Sequence, residues 1–357
     1  MRRPAPGHSG FRQAKRAILA LGLSTAVGLG AAAPAAADTR ETSFSGYTPL
    51  ASTYEILRRS LTPLDAAAAH APAGQQTIDL RDERFIVRVP AKRPPNGFGV
   101  LVFIPPWNDG RSMERWGSVL DRFGLIFVSP LRSGNDQSTF GRREPLAILA
   151  AYNIAQLYPV DRDRVFVGGF SGGSRVAMRV ALAYPDLFRG ALLDAGSDAI
   201  GGRELPLPPL SLFDRFRRES KLVYATGALD EPSLDLDSGS AASMRHWCVP
   251  NVNSRRIPGL GHDLIGAAML SVSLSDLLRP ASDQPWATAC WSRISQEVDS
   301  KLDGAAALVR EDPQAARVLL TKIDHQYGGL AAPRVLSLWS TANAAPPVST
   351  PRPRLSR

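Results

Sequence analysis

VFVGGFSGGSR, residues 165–175, is the stretch that decides the fold of this chain. Its first three residues are apolar, as in a buried strand, and residues 176–184 after it have the pattern of a helix. Between them, Gly169, Ser171 and Gly173 have the spacing of a sharp strand-to-helix turn. Glycine on both sides keeps other atoms away, so the Ser171 hydroxyl can project from the edge of a sheet. The stretch predicts an α/β fold that presents Ser171 as a candidate nucleophile.

Strands and helices alternate on both sides of this turn. Strands are predicted at 99–104, 124–128, 190–194, 221–226 and 253–257, and helices at 53–61, 112–123 and 145–157. The strands at 99–104 and 124–128 lack alternating polar residues, as strands buried on both faces do. The alternation predicts βαβ units, and hence a mostly parallel central sheet with helices on both faces. Before them, 76–80 and 85–89 are predicted to form an antiparallel pair.

The first 37 residues have the three parts of a secretory signal peptide. Five positive charges precede an apolar run over 17–30, and Ala35, Ala36 and Ala37 form a small-residue cleavage site. We therefore expect cleavage after Ala37 and an exported protein, either periplasmic or secreted.

The charge of the remaining chain argues against nucleic acid as a partner. Residues 1–37 carry five positive and no negative charges, so the formal net charge of +9 becomes +4 on their removal. Three of those four charges are Arg352, Arg354 and Arg357 in the last residues, so the body is near neutral. No other long apolar run occurs, and we expect no membrane span in the mature protein.

Cys248 and Cys290 are an even number of cysteines in a chain that carries an export signal. This predicts one disulfide between them, the alternative being two free buried thiols.

A serine hydroxyl becomes nucleophilic when a base accepts its proton and a carboxylate orients that base. Two histidines lie between Ser171 and the helical tail of the chain. His246 falls inside a predicted helix, whereas His262 follows a predicted strand on a glycine-containing loop. Active-site bases occupy such loops at the carboxyl ends of parallel strands, so His262 is the predicted base.

Asp230 is the predicted acid, because it follows the strand at 221–226 through a short turn. The order Ser171, Asp230, His262 is the one used by nucleophile-elbow hydrolases. An aspartate that merely caps a helix or turn is the alternative interpretation. Four other carboxylates are rival acids: Asp194, Asp235, Asp237 and Asp263.

An oxyanion requires backbone N–H donors near the nucleophile. Gly172 follows Ser171 at the start of a helix and is the first predicted donor. The second is expected from the loop after the strand at 99–104, where Pro105 and Pro106 have no N–H. Trp107 is therefore the predicted second donor, with Asn108 as the next choice.

These motifs resemble the α/β-hydrolase superfamily over about residues 76–275. Within it, the run that begins at Tyr158 and ends at Ser171 is similar to the secreted esterase and polyhydroxyalkanoate depolymerase-like group. The resemblance implies an acyl-enzyme on the serine and esters of hydroxy acids, phenolic acids or similar acids as substrates. One departure is Pro105-Pro106, where that group usually carries a His-Gly pair.

The sequence thus predicts a serine esterase whose α/β-hydrolase catalytic domain spans 76–286, preceded by an N-terminal extension at 38–75. A helical C-terminal extension is expected at 287–343 and a disordered tail rich in Pro and Arg at 344–357. A small or oligomeric ester is the expected substrate, and the sequence leaves the oligomeric state open. No phosphate loop, zinc-ligand spacing or calcium loop occurs, so no cofactor or metal is predicted. A prolyl-peptidase-type serine peptidase and an inactive hydrolase-fold binding protein remain alternatives.

Overall fold

The computed structural model describes residues 37–109, 112–282 and 284–344. The predicted signal peptide, apart from Ala37, and the predicted tail beyond Ala344 lie outside the described residues. The strands are β1 (Asp38–Thr42), β2 (Phe85–Val89), β3 (Phe98–Ile104), β4 (Leu125–Pro130), β5 (Val160–Phe170), β6 (Gly190–Asp194), β7 (Lys221–Gly227) and β8 (Val252–Ile257). The helices are α1 (Thr53–Ser60), α2 (Pro63–Ala68), α3 (Ser112–Phe123), α4 (Glu144–Leu157), α5 (Gly172–Ala183), α6 (Leu210–Glu219), α7 (Glu231–His246), α8 (Ala267–Leu278), α9 (Pro285–Glu311), α10 (Pro313–Tyr327) and α11 (Arg334–Ala344).

The strands form one sheet in the order β1-β2-β4-β3-β5-β6-β7-β8. From β4 to β8 every neighbouring pair is parallel, whereas β1 and β2 are antiparallel to each other and β2 is antiparallel to β4. The carboxyl ends of the parallel strands therefore lie along one edge of the sheet, where their following loops can meet.

Both faces of the sheet are buried, which explains the unbroken apolar runs in the sequence. In β3, Val100 and Val102 belong to the core beneath α4 and α5. Leu101 and Phe103, which point the other way, belong to the core beneath α3 and α8. The prediction of a mostly parallel sheet with helices on both faces is confirmed.

One strand prediction is wrong. Residues 76–79 form no strand and lead into a short 3₁₀ turn at Leu80–Asp82, although Ile78 and Leu80 are buried as an alternating strand would bury them. The partner of β2 is instead β1, whose sequence DTRET is polar because four of its five residues are exposed at the sheet edge. An exposed edge strand has no apolar face to bury, so its sequence carries no periodic signal.

Three helices, α9, α10 and α11, occupy the segment where a helical C-terminal extension was expected. Ile294 and Val298 of α9 and Tyr327 of α10 belong to the same core as one face of the sheet. Tyr327 also contacts the ring of Trp247, with ring centroids 6.2 Å apart. None of the helices in the described part of the chain is both long and apolar enough to cross a bilayer.

The predicted disulfide is present: the sulfurs of Cys248 and Cys290 are bonded, and their Cα atoms are 5.7 Å apart. The bond joins the segment just after α7 to α9 and closes a loop across 42 residues of sequence. We expect the double variant Cys248→Ala/Cys290→Ala to lose about 4 kcal/mol of unfolding free energy, through the greater entropy of its unfolded chain. Denaturant unfolding measures the loss. Dithiothreitol should produce a similar loss in the wild type and none in the variant, and equal midpoints for the two proteins would contradict the expectation.

Candidate active site

The strand order of this sheet is that of the α/β-hydrolase fold, in agreement with the sequence prediction. In this fold the chemistry takes place where the loops after the parallel strands converge. Here Trp107 follows β3, Ser171 follows β5, Asp230 follows β7 and His262 follows β8.

Ser171 occupies a sharp turn between β5 and α5. Its backbone has φ 55° and ψ −122°, a left-handed conformation that costs a residue with a side chain about 1–3 kcal/mol. The Ser171 N–H donates to the carbonyl of Asp194 at 2.7 Å, which holds the turn to the end of β6. The turn brings residue 169 so close to α5 that it must be glycine, since a Cβ there would lie 2.2 Å from the carbonyl oxygen of Gly173. Such strain, held by surrounding contacts, is typical of an active-site nucleophile.

A chain of hydrogen bonds links the three predicted residues. The Oγ of Ser171 lies 3.0 Å from Nε2 of His262, and Nδ1 of His262 lies 2.7 Å from Oδ2 of Asp230. Both distances are within hydrogen-bond range for a nucleophile, a base and an orienting acid. The side chain of His262 is 48% exposed, so the hydroxyl end of this chain is open to a substrate, whereas Asp230 is buried.

Asp230 uses its second oxygen to cap α7. Its Oδ1 accepts from the N–H of Ser233, as a helix N-cap does, while Oδ2 faces His262. One carboxylate oxygen of Asp230 therefore caps the helix, as the alternative interpretation of the sequence expected. The other oxygen bonds His262, as expected of the predicted acid. Burial raises the pKa of Asp230, but the hydrogen bonds from Ser233 and His262 outweigh it and bring the pKa below its ordinary value. Asp230 is thus ionised at neutral pH and able to hold an Nδ1–H of His262.

Asp194, the rival acid at the end of β6, supports the loop of His262 instead. Its carboxylate accepts from the N–H of Ile265 at 3.0 Å, and the indole of Trp116 donates to the carbonyl of Ile265 at 2.9 Å. Burial raises the pKa of Asp194 well above its ordinary value. These two contacts fix the chain three residues after His262 and thereby limit where the imidazole can lie.

The other three rival carboxylates are engaged elsewhere or exposed to solvent. Asp237 accepts from the hydroxyl of Thr226, Asp263 pairs with Arg115 at 3.3 Å, and Asp235 is exposed. Of the carboxylates in the described residues, Asp230 alone bonds the imidazole of His262.

The two predicted oxyanion donors lie on either side of the turn. Gly172 is the first residue of α5, where backbone N–H groups have no partner within the helix. Trp107 packs against Phe170 in a tilted arrangement with ring centroids 5.7 Å apart, and Phe170 packs against His262 at 5.0 Å. These contacts place the Trp107 ring beside the site; donation by its backbone N–H stays a prediction.

The Pro105-Pro106 segment is held through its carbonyl groups. The Pro105 carbonyl accepts from the guanidinium of Arg143 at 3.1 Å, and the Pro106 carbonyl accepts from the N–H of Asn135 at 3.0 Å. Prolines provide no N–H here, so their acceptors fix the course of the loop that leads to Trp107.

Sequence reasoning missed three residues of the site. Ser233 has its Oγ 3.4 Å from Nδ1 of His262, and its place three residues after an N-cap aspartate was the available signal. Phe170 packs on His262 and directly precedes the serine of the turn. The Asn135 amide lies against Gly172, since a Cβ there would be 2.2 Å from its Oδ1. Nothing in the local sequence marked Asn135.

Within the described residues, no group of three or more His, Cys, Asp or Glu side chains is arranged to hold a metal ion.

No protein-family model matches this sequence, and no curated protein matches it. Several solved structures are similar in chain fold. A fluorophosphonate-binding serine hydrolase of Staphylococcus aureus matches with a TM-score of 0.45 and 15% identity, over 68% of this chain and 99% of that one. The S-formylglutathione hydrolase of Staphylococcus aureus matches at 0.41 and 16%, over 54% and 89%. A thermophilic esterase of Thermogutta terrifontis matches at 0.41 and 15%, over 56% and 88%. The fold assignment rests on the strand order rather than on these similarities.

Proposed function

We propose that this chain is an exported serine hydrolase that cleaves carboxylic esters through an acyl-enzyme intermediate. The observation that carries the proposal is the hydrogen-bonded chain Ser171–His262–Asp230, with contacts of 3.0 and 2.7 Å, at a strained strand-to-helix turn. Its three members come from three separate loops at one edge of the sheet, and this arrangement activates a hydroxyl for acyl transfer.

In the first half of the reaction, Ser171 Oγ attacks the ester carbonyl carbon while Nε2 of His262 accepts its proton. Asp230 holds the Nδ1–H of the imidazole and stabilises the imidazolium that forms. The carbonyl oxygen becomes an oxyanion, which the N–H groups of Gly172 and Trp107 stabilise. His262 then gives its proton to the alcohol oxygen, the C–O bond breaks, and the acyl group remains on Ser171.

In the second half, water replaces the alcohol. Nε2 of His262 takes a proton from the water as its oxygen attacks the acyl carbon. Collapse of the second tetrahedral intermediate returns the proton to Ser171 Oγ and releases the carboxylic acid. Neither half of this reaction requires a cofactor.

Export is part of the proposal. The arrangement of charge and apolar residues over 1–37 supports it, and so does the disulfide between Cys248 and Cys290, a bond that persists in oxidising compartments.

We expect a fluorophosphonate probe to label the wild type at one site and to leave Ser171→Ala unlabelled, because the probe reacts with an activated serine hydroxyl. Intact-protein mass spectrometry measures the labelling. Ser174→Ala is the matched control, since Ser174 is buried three residues along the same turn and its hydroxyl has no hydrogen-bond partner. It should label like the wild type.

Two outcomes would contradict the proposal in different ways. Absence of labelling in the folded wild type would favour a binding protein on a hydrolase fold. Faster turnover of amino-acid p-nitroanilides than of p-nitrophenyl acyl esters would show a peptidase that uses the same residues.

A further inference from the structure

A cavity of about 330 Å³ lies beside the nucleophile, along the first turns of α5. Gly172, Arg175 and Arg179 line it from the helix, at spacings that place them on one helix face. Arg143, just before α4, lines it as well. Gly172 directly follows Ser171 in the chain, so one wall of the cavity is continuous with the turn that carries the nucleophile.

Positive charge dominates the cavity. Three guanidinium groups line it, and Asp198 is the one carboxylate among its lining residues. Asp198 accepts from Nε of Arg175 at 2.7 Å and leaves the two terminal nitrogens of Arg175 without a bond to the described residues. The positive end of the α5 dipole adds to the same potential.

Arg143 is a buried cation whose charge is offset from beyond ion-pair distance by the exposed carboxylate of Asp136. Its side chain is 4% exposed, and it donates to the carbonyl oxygens of Ser133 at 2.8 Å and Pro105 at 3.1 Å. Within the described residues it forms no ion pair. Burial lowers the pKa of Arg143 to about 10, so the group remains charged at neutral pH. A buried charge is costly unless it is compensated, and an anionic ligand would compensate this one.

Arg179 is also incompletely satisfied. Its Nη1 is buried without a hydrogen-bond partner, and its Nε is 3.6 Å from Oε1 of Glu144. Burial raises the pKa of Glu144 to about 7, so at neutral pH this carboxyl is only partly ionised. The positive charge of Arg179 is therefore only partly compensated as well.

We propose that this cavity binds a carboxylate carried by the ester substrate, so that the preferred substrates have a second, anionic group near the cleaved bond. The proposal rests on the function proposed above. Arginine binds carboxylates through two parallel N–H donors, and the terminal nitrogens of Arg175 provide such a pair, while Arg143 and Arg179 add positive charge.

Two pairs of substrates test the proposal. In one pair the negative charge is on the acyl part of the ester, and in the other it is on the alcohol part. Monomethyl succinate is compared with methyl 4-methylpentanoate, which replaces the acyl carboxylate by a neutral group of the same shape. On the alcohol side, 3-acetoxypropanoate is compared with 3-methylbutyl acetate. The readout, measured by pH-stat titration, is the ratio of kcat/KM for the anionic ester to that for its neutral partner.

We expect Arg175→Gln to lower this ratio about tenfold in at least one pair, mainly through KM, because it removes a charge-assisted donor. Raising the ionic strength should lower the wild-type ratio in the same pair. Arg218→Gln is the matched control. Arg218 is 53% exposed and pairs with Asp214, much as Arg175 is 55% exposed and pairs with Asp198, and it lies on α6. The control variant should keep the wild-type ratio.

If neither added salt nor Arg175→Gln changes the kcat/KM ratio in either pair, the inference is wrong. Hydrolysis of the neutral esters by the wild type, lost in Ser171→Ala, would leave the proposed esterase function intact in that case. If p-nitrophenyl esters are hydrolysed but no ester of either pair is, this inference fails and the proposed function stands; if none of these esters is hydrolysed, both fail.

Discussion

We expect His262→Ala to lower kcat/KM for ester hydrolysis by about 10⁴-fold or more, whereas His246→Ala should leave it near the wild-type value. The imidazole of His262 lies 3.0 Å from Ser171 Oγ and 2.7 Å from Asp230, so its removal leaves the hydroxyl without a base. His246 ends α7 and packs its exposed ring against Trp247.

The two variants make the same chemical change, and each removes one half-exposed or exposed imidazole. Steady-state rates on p-nitrophenyl esters measure the difference, and circular dichroism verifies that both variants are folded. The fluorophosphonate reaction should slow in His262→Ala as well, because the same proton transfer activates Ser171. A large loss in His246→Ala, or little loss in His262→Ala, would show that the wrong base has been assigned.

The sequence predicted the parallel part of the sheet well because of where those strands lie. Strands such as β3 and β6 are buried on both faces, so they must be continuously apolar and are easy to find. The polar edge strand β1 has no such constraint. Residues 76–80 show the opposite case: burial of Ile78 and Leu80 imitates a strand, but a loop and a 3₁₀ turn bury them equally well.

The residues that form the hydrogen-bonded chain could be predicted because each follows a strand. Ser171, Asp230 and His262 come after β5, β7 and β8, and the carboxyl ends of parallel strands meet at one edge. The sequence could not choose firmly between Asp230 and Asp194, since both follow strands. That choice depends on side-chain direction, and Asp194 turns towards Ile265.

The sequence carried no local signal for the cavity lined by Arg143, Arg175 and Arg179. Arg143 and Asn135 lie in the connection between β4 and α4, where no periodic pattern relates a residue to the site. Arg143 is informative because it is buried without an ion pair to a described residue, and burial of a polar group is a property of the folded chain alone. In the sequence it is one of two adjacent arginines, which is the usual appearance of a solvated surface.

Gly173→Ala should have the largest effect of any single methyl group added near the site. We expect it to lower the unfolding free energy by about 4 kcal/mol or more, and to lower kcat/KM of the folded fraction at least 100-fold. A Cβ at this position would lie 1.9 Å from the carbonyl oxygen of Ile104, the last residue of β3. Since the obstacle is backbone, no rotamer change can remove it.

The substitution affects both the turn that carries Ser171 and the loop that carries the predicted donor Trp107. To make room, either α5 moves away and carries the Ser171 turn with it, or the end of β3 moves and displaces the Pro105 loop that leads to Trp107. A displacement of about 1 Å in either element breaks the alignment between nucleophile and oxyanion donors.

Gly304→Ala is the matched control, because it adds the same methyl group within a helix, α9, where the new Cβ would meet no heavy atom within 4 Å apart from the local backbone of that helix. It should raise stability by about 0.5–1 kcal/mol, since alanine loses less backbone entropy in a helix than glycine. Denaturant unfolding and ester hydrolysis measured on both variants complete the test. If Gly173→Ala proved as stable and active as the wild type, α5 could not approach β3 as closely as this turn requires, and the geometry that presents Ser171 to an ester would have to be different.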